Sequence, residues 1–455
     1  MMNLKGVDRM NVTSSNFISL GEKAVSAAEI ISAALESANP FVAVKKAVQS
    51  LNSEVDFYSF DKVGLVSIGK AAVPMAGAAL SALPGRISHS LIVTKSLLGK
   101  DDYDFSRSKI LQGSHPVPDE KSIQAGREVL EFAKSFNKED AILFLISGGA
   151  SALVTNPVNG ITLDDLQKIT ALLLSSGASI NEINAVRKHL DTVKGGGLAL
   201  AAAPAAFYSL ILSDVPGNVL DVVASGPTVA DTSTYGDALA TLSKYDLKTR
   251  VPESILAILT DGASGILPET PKPGNPIFFK NRSLVIGSVE QAMQAAGDTA
   301  RKIGYKVELL TPLLTGEASM QGKRLAGFLK QQVQNHKSGD PACCWVTGGE
   351  TTVTLTGTGI GGRNQELALA AAIELEGVEG VSLITFATDG EDGQSPAAGA
   401  VVTGATCRLA RSKGLDPVDF LSRHDSYSFF NAIDASITTG STGTNVNDLA
   451  VLFLD

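Results

Sequence analysis

Apolar and polar positions alternate along this chain in blocks that switch between strand-like and helix-like spacing. Ala24 to Leu35 repeats apolar residues at helical spacing, and Pro40 suits the first turn of a second helix, so residues 20–52 predict two helices. Continuous apolar runs at Val63 to Ile68, Ser90 to Thr94, Ala141 to Ile146 and Phe207 to Leu212 predict buried strands. Between them, Ala71 to Leu83, Ser122 to Ser135, Leu163 to Ser175 and Ile180 to Leu190 predict helices. Such alternation implies a mostly parallel sheet with helices on both faces. Further on, a helix near Ser288 to Ile303 precedes strands near Val307, Cys344, Val353, Leu383, Ala400 and Val451, which predicts an α/β region with some antiparallel content. Residues 266–276 hold four of the 18 prolines and are the best candidate for a linker or long loop.

Length makes two domains the expectation, because 455 residues exceed what one core usually supports. The net charge of −9 argues against a nucleic-acid or acidic-membrane partner, while leaving room for a locally basic pocket. No uninterrupted apolar run reaches the roughly 18 residues of a membrane span, and residues 1–20 lack the pattern of a signal peptide. Cys343, Cys344 and Cys407 show neither metal spacing nor a disulfide framework, which points to a reduced cytoplasm. A homo-oligomer is compatible with all of this.

Candidate chemistry sits where predicted strands end in glycine. The richest stretch runs from Gly348-Gly349-Glu350 to Gly361-Gly362-Arg363-Asn364-Gln365-Glu366. It predicts a second short strand at Thr351 to Thr356, a glycine-dense turn, and a helix with Arg363 in its first turn. Glycines let backbone N–H groups approach an anion, a helix start adds free N–H donors, and arginine adds a forked charge. Gly357-x-Gly359-x-x-Gly362 also matches the dinucleotide pattern, with Asp389 as a possible ribose partner, so an NAD(P)H-dependent enzyme is the alternative reading. Gly69-Lys70 follows a strand and opens a helix, a place to hold an anion with one mobile charge, although the Walker spacing is absent. Ser147-Gly148-Gly149-Ala150-Ser151 can cradle phosphate oxygens; as a hydrolase elbow it fails, since Leu153 replaces the required glycine. His115 stands in a proline-rich turn, and Asn184 and Arg187 lie on a polar helix that faces either a cleft or solvent. Asp214 and Asp389 end strands, where they can hold Mg²⁺ or accept a hydroxyl proton. Gly440 to Asp448, including Thr444, Asn445 and Asn447, is a polar loop with anion- or nucleotide-loop chemistry.

Taken in order, these motifs closely resemble the class II glycerate 2-kinases, the family with a C-terminal MOFRL-type domain. The resemblance runs from about Ala24 to the C-terminus and includes Gly69-Lys70-Ala71, His115-Pro116-x-Pro118-Asp119, Asn181-Glu182-x-Asn184-x-Val186-Arg187-Lys188-His189, Ser225-Gly226-Pro227-Thr228 and Thr442-Gly443-Thr444-Asn445-Val446-Asn447-Asp448. It implies an N-terminal Rossmann-like domain, 1–270, a smaller C-terminal α/β domain with a mixed sheet, 277–455, and an active site in the cleft between them. It implies phosphorylation of D-glycerate at the C2 hydroxyl by ATP with Mg²⁺; because related proteins have also been labelled hydroxypyruvate reductases, it makes an NAD(P)H-dependent hydroxypyruvate reductase the alternative. The lysine and arginine proposed as catalytic in the family match Lys70 and Arg363, expected to neutralise charge rather than transfer protons. His115, Ser147, Gly148, Gly149, Ser151, Asn184, Arg187, Glu350, Asn364, Glu366, Thr444, Asn445 and Asn447 are expected to bind substrate or nucleotide. The chain departs from the family pattern at Ala150, at Ser441 and across Gly393-Gln394-Ser395-Pro396-Ala397.

Overall fold

The computed structural model describes residues 12–97, 99–279 and 281–455; the earlier N-terminal residues on which the signal-peptide reading partly rests lie outside them. The chain forms two compact units, one of Pro40–Ile286 and one combining the residues up to Asn39 with Gly287–Asp455. We call them the central and the terminal unit.

The central unit holds a six-stranded sheet of β1 (Val63–Ile68), β2 (Ile87–Thr94), β3 (Ser108–Gln112), β4 (Ala141–Ile146), β5 (Ala206–Leu212) and β6 (Arg282–Gly287). Their order is β3-β2-β1-β4-β5-β6, with β1 parallel to β2 and β4, β2 parallel to β3, and β4 parallel to β5. This is the Rossmann order, and the direction of winding reverses between β1 and β4. All residues of β1 and β4 are buried, as strands covered on both faces require. Helices Glu120–Lys134, Leu163–Ser175 and Ile180–His189 each begin with a reciprocal capping box, at Asp119, Thr162 and Ser179. A separate helical core gathers Leu166, Ile169, Val186, Leu242, Ile255 and Leu259.

The terminal unit holds β7 (Lys306–Leu309), β8 (Leu314–Glu317), β9 (Cys343–Thr352), β10 (Val381–Ala387), β11 (Gly399–Thr403), β12 (Ser436–Ile437) and β13 (Asp448–Leu454). The order is β12-β11-β10-β13-β9-β7, with β8 also on β9. β7 and β8 pair with β9 in parallel, while β13 lies antiparallel between β9 and β10. The mixed sheet therefore agrees with expectation. The second strand at Thr351 to Thr356 does not form: β9 runs unbroken through Gly348 and Gly349 to Thr352, and the chain is irregular from there to Gly362. A side chain at Gly349 would strike the Leu314 carbonyl at 2.2 Å, which is why β8 can approach β9 only past a glycine.

The division of the chain also differs from the expected 1–270 and 277–455. Helix Ala24–Ser37 packs on helix Val289–Ile303 within the terminal unit, because both present close-fitting faces rich in alanine. Thr444 Oγ1 binds the Ala38 carbonyl and reinforces that placement. Of the two readings of residues 266–276, the long loop holds and the linker does not. Glu269 accepts from the Tyr235 N–H at 2.9 Å and meets His189 Nε2 at 3.0 Å, and Thr270 donates to Asp231 at 2.8 Å, so the segment is bonded into the central unit. No described helix is long and apolar enough to cross a membrane.

Candidate functional site

Crevices at the carboxyl ends of parallel strands, where the winding reverses, are the usual ligand sites of open α/β sheets. In the central unit that point lies between the loops after β1 and β4, which carry Lys70 and Ser147-Gly148-Gly149. The two loops are joined by backbone bonds. Lys70 N–H donates to the Gly148 carbonyl at 2.9 Å, Ser147 N–H to the Ile68 carbonyl at 2.9 Å, and Ala71 N–H to Ser147 Oγ at 3.1 Å. Ser147 is thus buried and engaged in holding the loops together. Gly69, at φ +130°, is compulsory here, since a Cβ would lie 2.1 Å from Ser147 Oγ.

The side chains beside these loops are the predicted ones. A Cβ on Gly148 would lie 2.2 Å from Asp214 Oδ2, and one on Gly149 would lie 3.0 Å from the His115 ring and 3.3 Å from Lys70 Cγ. Lys70, His115, Gly148, Gly149 and Asp214 therefore converge. Lys70 is exposed and makes no ion pair among the described residues. Burial, with Lys70 and then Lys95 adding repulsion, lowers the His115 pKa to about 4. The ring is a neutral imidazole at pH 7, able to donate and accept hydrogen bonds. Just beyond, Ser151 Oγ lies 2.9 Å from Ser225 Oγ, which donates to Asn184 Oδ1 at 2.9 Å. The polar helix Ile180–His189 is not a solvated face: Asn184, Lys188 and His189 are buried, with Lys188 paired to Asp231 at 3.0 Å.

In the terminal unit the predicted loops meet at one end of the sheet, where Ala387 and Gly349 both stand opposite Asp448. Arg363 opens helix Arg363–Glu374 as expected. Its Nε and Nη2 bind the two oxygens of Asp448 at 2.6 and 3.2 Å, and Nη1 binds Glu350 at 2.6 Å. Burial works against the charge of Arg363, but Asp448 and then Glu350 outweigh it and hold the pKa above its ordinary value. Burial pushes the Asp448 carboxyl up to about 7, against the pull of Arg363. Asn445 Oδ1 accepts from the Asn447 N–H at 3.0 Å, and the Asn447 carbonyl accepts from Thr388. Asp389 accepts from the Glu391 N–H at 3.1 Å, and its carbonyl accepts from the Thr442 N–H.

The structure corrects one expectation directly. The N–H groups at the start of the Arg363 helix are not free. Asp392, 1% exposed, accepts from the Asn364 N–H at 3.0 Å and the Gln365 N–H at 2.8 Å, and from both their side-chain amides. The protein's own carboxylate engages the N–H groups a pyrophosphate would need, so this helix start is not the open anion site that the Gly357–Gly362 pattern predicts. Glu366 is likewise turned inward, bonded to His424 Nδ1 at 3.0 Å, and the Thr444 hydroxyl is engaged by Ala38. Asp392 and Asp448 were not singled out as site residues by sequence; their signal was that each stands at a sheet end, beside a glycine or asparagine turn.

Comparison with known proteins agrees with this picture. Residues 26–260 match a domain family of unknown function, DUF4147, and residues 343–448 match the MOFRL family. The chain is 42% identical to the D-glycerate 2-kinase of Thermotoga maritima, over 93% of this chain and 97% of that one. It is 38% identical to the glycerate 2-kinase of Pyrococcus horikoshii, over 93% and 95%. A crystal structure of the Thermotoga maritima glycerate kinase superposes with a TM-score of 0.84 at 41% identity, covering 94% of this chain and 99% of that one.

Proposed function

Since the chain belongs to the class II glycerate 2-kinase family, we propose that it transfers the terminal phosphoryl group of ATP to the C2 hydroxyl of D-glycerate, giving 2-phosphoglycerate and ADP. The observation that carries this reading is the Lys70 loop locked against Ser147-Gly148-Gly149 where the winding reverses between β1 and β4.

Phosphoryl transfer asks the protein for positioning and charge neutralisation rather than for covalent chemistry. Lys70 is the exposed cation that neutralises charge developing on the phosphoryl oxygens, beside glycines that leave room for close approach. His115 serves as a neutral hydrogen-bonding partner, not as a cationic acid. Asp214, beside Gly148, is the candidate to accept the proton of the substrate hydroxyl. Arg363 is the terminal unit's charge-neutralising group, oriented by Asp448, with Asp389 and the 440–448 loop proposed as accessory binding elements.

Mg²⁺ belongs to the same proposal, where it would shield the phosphate charges when bound. Among the described residues no group of three or more His, Cys, Asp or Glu side chains can hold a metal. Mg²⁺ commonly rides on substrate phosphates with only one or two carboxylates, so Asp214 and Asp389 are at most supplementary ligands and no step is assigned to a protein-held ion. We place the enzyme in the cytoplasm, acting on a small molecule rather than on nucleic acid or membrane.

Product analysis by ³¹P NMR with D-glycerate and Mg-ATP tests the reading. A 2-phosphoglycerate signal is expected. A 3-phosphoglycerate signal overturns the regiochemistry, and the absence of any new phosphorus signal overturns the kinase.

A further inference from the structure

Arg187 is the anomaly of the central unit. It is half-buried at the carboxyl end of helix Ile180–His189, it makes no ion pair among the described residues, and its guanidinium donates to the Ser151 carbonyl at 3.4 Å. The other described arginines without an ion pair behave differently. Arg107, Arg127, Arg250, Arg324 and Arg408 are exposed, where water solvates the charge. Arg86 is half-buried but binds the carbonyls of Phe57, Phe60 and Asp61. Among the described arginines Arg187 alone joins partial burial to the lack of a direct ion pair and only one long hydrogen bond.

The carboxylate that favours the Arg187 charge is Asp191, and it is committed to other donors. Asp191 is buried and already accepts from Thr155 Oγ1, the Asn156 and Val193 N–H groups and Lys194 Nζ. Lys194 is itself buried. Arg187, Lys194 and Asp191 thus form a group with one positive charge in excess. A desolvated excess charge is costly unless something anionic arrives to match it.

Beside that charge stands an oriented acceptor. Ser225 Oγ donates to Asn184 Oδ1, so the proton between Ser151 and Ser225 comes from Ser151, and the Ser151 oxygen keeps its remaining lone-pair capacity for an outside donor. The Ser225 side chain is aimed by a backbone that ordinary residues avoid: Ala224, Ser225 and Gly226 are all left-handed, at φ 53°, 60° and 61°. The Ser225 and Gly226 carbonyls pin this loop by accepting from the Gly195 and Gly196 N–H groups. Strain kept at one loop by surrounding bonds commonly marks a functional position.

We propose that Arg187 and Ser151 form the recognition site for the substrate's hydroxy-acid end, Arg187 holding the carboxylate and Ser151 accepting from a substrate hydroxyl. This rests on the glycerate kinase reading and names the residues that select the acceptor. A guanidinium suits a carboxylate because its fork matches the two oxygens. Ser151 lies two residues beyond Gly149, in the single-turn helix Ala150–Leu153 that follows the loop meeting Lys70, so the site continues the switch-point crevice.

The test compares wild-type enzyme, Arg187→Gln, Arg187→Lys and Ser151→Ala. Each is assayed for KM of D-glycerate and of ATP, for discrimination against glycerol, and for D-glycerate binding by calorimetry. Arg187→Gln should raise the glycerate KM on the order of 10- to 100-fold, as loss of a hydrogen bond to a charged group predicts. The ATP KM should stay within about twofold, and the preference for glycerate over uncharged glycerol should shrink. Arg187→Lys should recover part of the loss, and Ser151→Ala should raise the glycerate KM less. Should Arg187→Gln fail to fold, the lysine and Ser151→Ala variants carry the test by the same criteria. An unchanged glycerate KM overturns the inference, as does a rise confined to ATP, which would give the site to a nucleotide phosphate. A wild-type enzyme that yields no phosphoglycerate overturns the kinase reading instead.

Discussion

Lys70 and Arg363 follow the same local recipe, a cation beside glycines where an irregular turn gives way to a helix, yet the structure treats them in opposite ways. Lys70 is exposed, faces a neutral imidazole and glycine backbone, and has no carboxylate partner among the described residues. Arg363 has every guanidinium nitrogen bonded to a carboxylate, two to Asp448 and one to Glu350. The difference follows from burial. An exposed ammonium keeps its water and needs no partner, whereas a guanidinium with 30% of its side chain exposed, next to Asp448 at 7%, is stable only when paired. The central unit therefore offers a ready charge, and the terminal unit offers a charge whose orientation is set in advance.

Replacing each cation separates the two most sharply. Lys70→Ala should lower kcat about 10²- to 10³-fold, the range for removing one pre-placed electrostatic group, with the melting temperature unchanged. Arg363→Ala should lose activity and also about 3 kcal/mol of stability, the low end for breaking a buried pair, because Asp448 is left desolvated without its counter-ion. Arg363→Lys should not restore activity, since an ammonium cannot make the two-point contact with Asp448. Kinetics and thermal melting on the same preparations check all three. Equal melting temperatures for the two alanine variants would break the comparison.

Next in size is the helix cap. Asp392→Ala leaves the Asn364 and Gln365 N–H groups buried without an acceptor, and should cost roughly 2 kcal/mol. Urea unfolding measures it directly. A loss below about 0.5 kcal/mol, the scale of a neutral surface change, would mean that solvent replaces the cap and that the helix start is open to anions after all.

These contrasts show what was legible in the sequence. β1 and β4 read plainly because strands buried on both faces must be apolar throughout, whereas periodicity alone set the helix starts and put one at Ser122 although the Asp119 capping box begins it at Glu120. Strands β3 and β6 did not, being half-exposed and short of apolar residues. Helix Ala318–Asn335 went unseen although its buried positions Ala318, Gly322, Leu325, Ala326 and Leu329 keep helical spacing, because small residues carry little hydrophobic signal. Lys70 and Gly148-Gly149 were legible as local motifs. The carboxylates that engage the Arg363 segment were not, because Asp392 reaches Asn364 from 28 positions away and Asp448 reaches Arg363 from 85. Only the sheet order, with β13 between β9 and β10, brings them together. The membership of helix Ala24–Ser37 in the terminal unit depends on the same kind of distant pairing.

The smallest effect expected at neutral pH concerns His115, which reports on the ready charge without chemistry. Its folded pKa of about 4 lies below the ordinary 6.5, so the folded state binds fewer protons than the unfolded chain between those values. The stability this group contributes is complete above pH 6.5 and is lost as the pH falls through 4. Burial is the largest cause and Lys70 the second, which makes a graded outcome necessary. In Lys70→Ala the ring should titrate higher than in the wild type yet still below 6.5, as read from imidazole NMR shifts. A midpoint that does not move would mean that the Lys70 ammonium does not act on the ring, and Lys70 would then no longer be the ready cation of this crevice. A midpoint restored to 6.5 would show that charge alone, rather than desolvation, holds the imidazole neutral, and the crevice would be wetter than its packing against Gly149 requires.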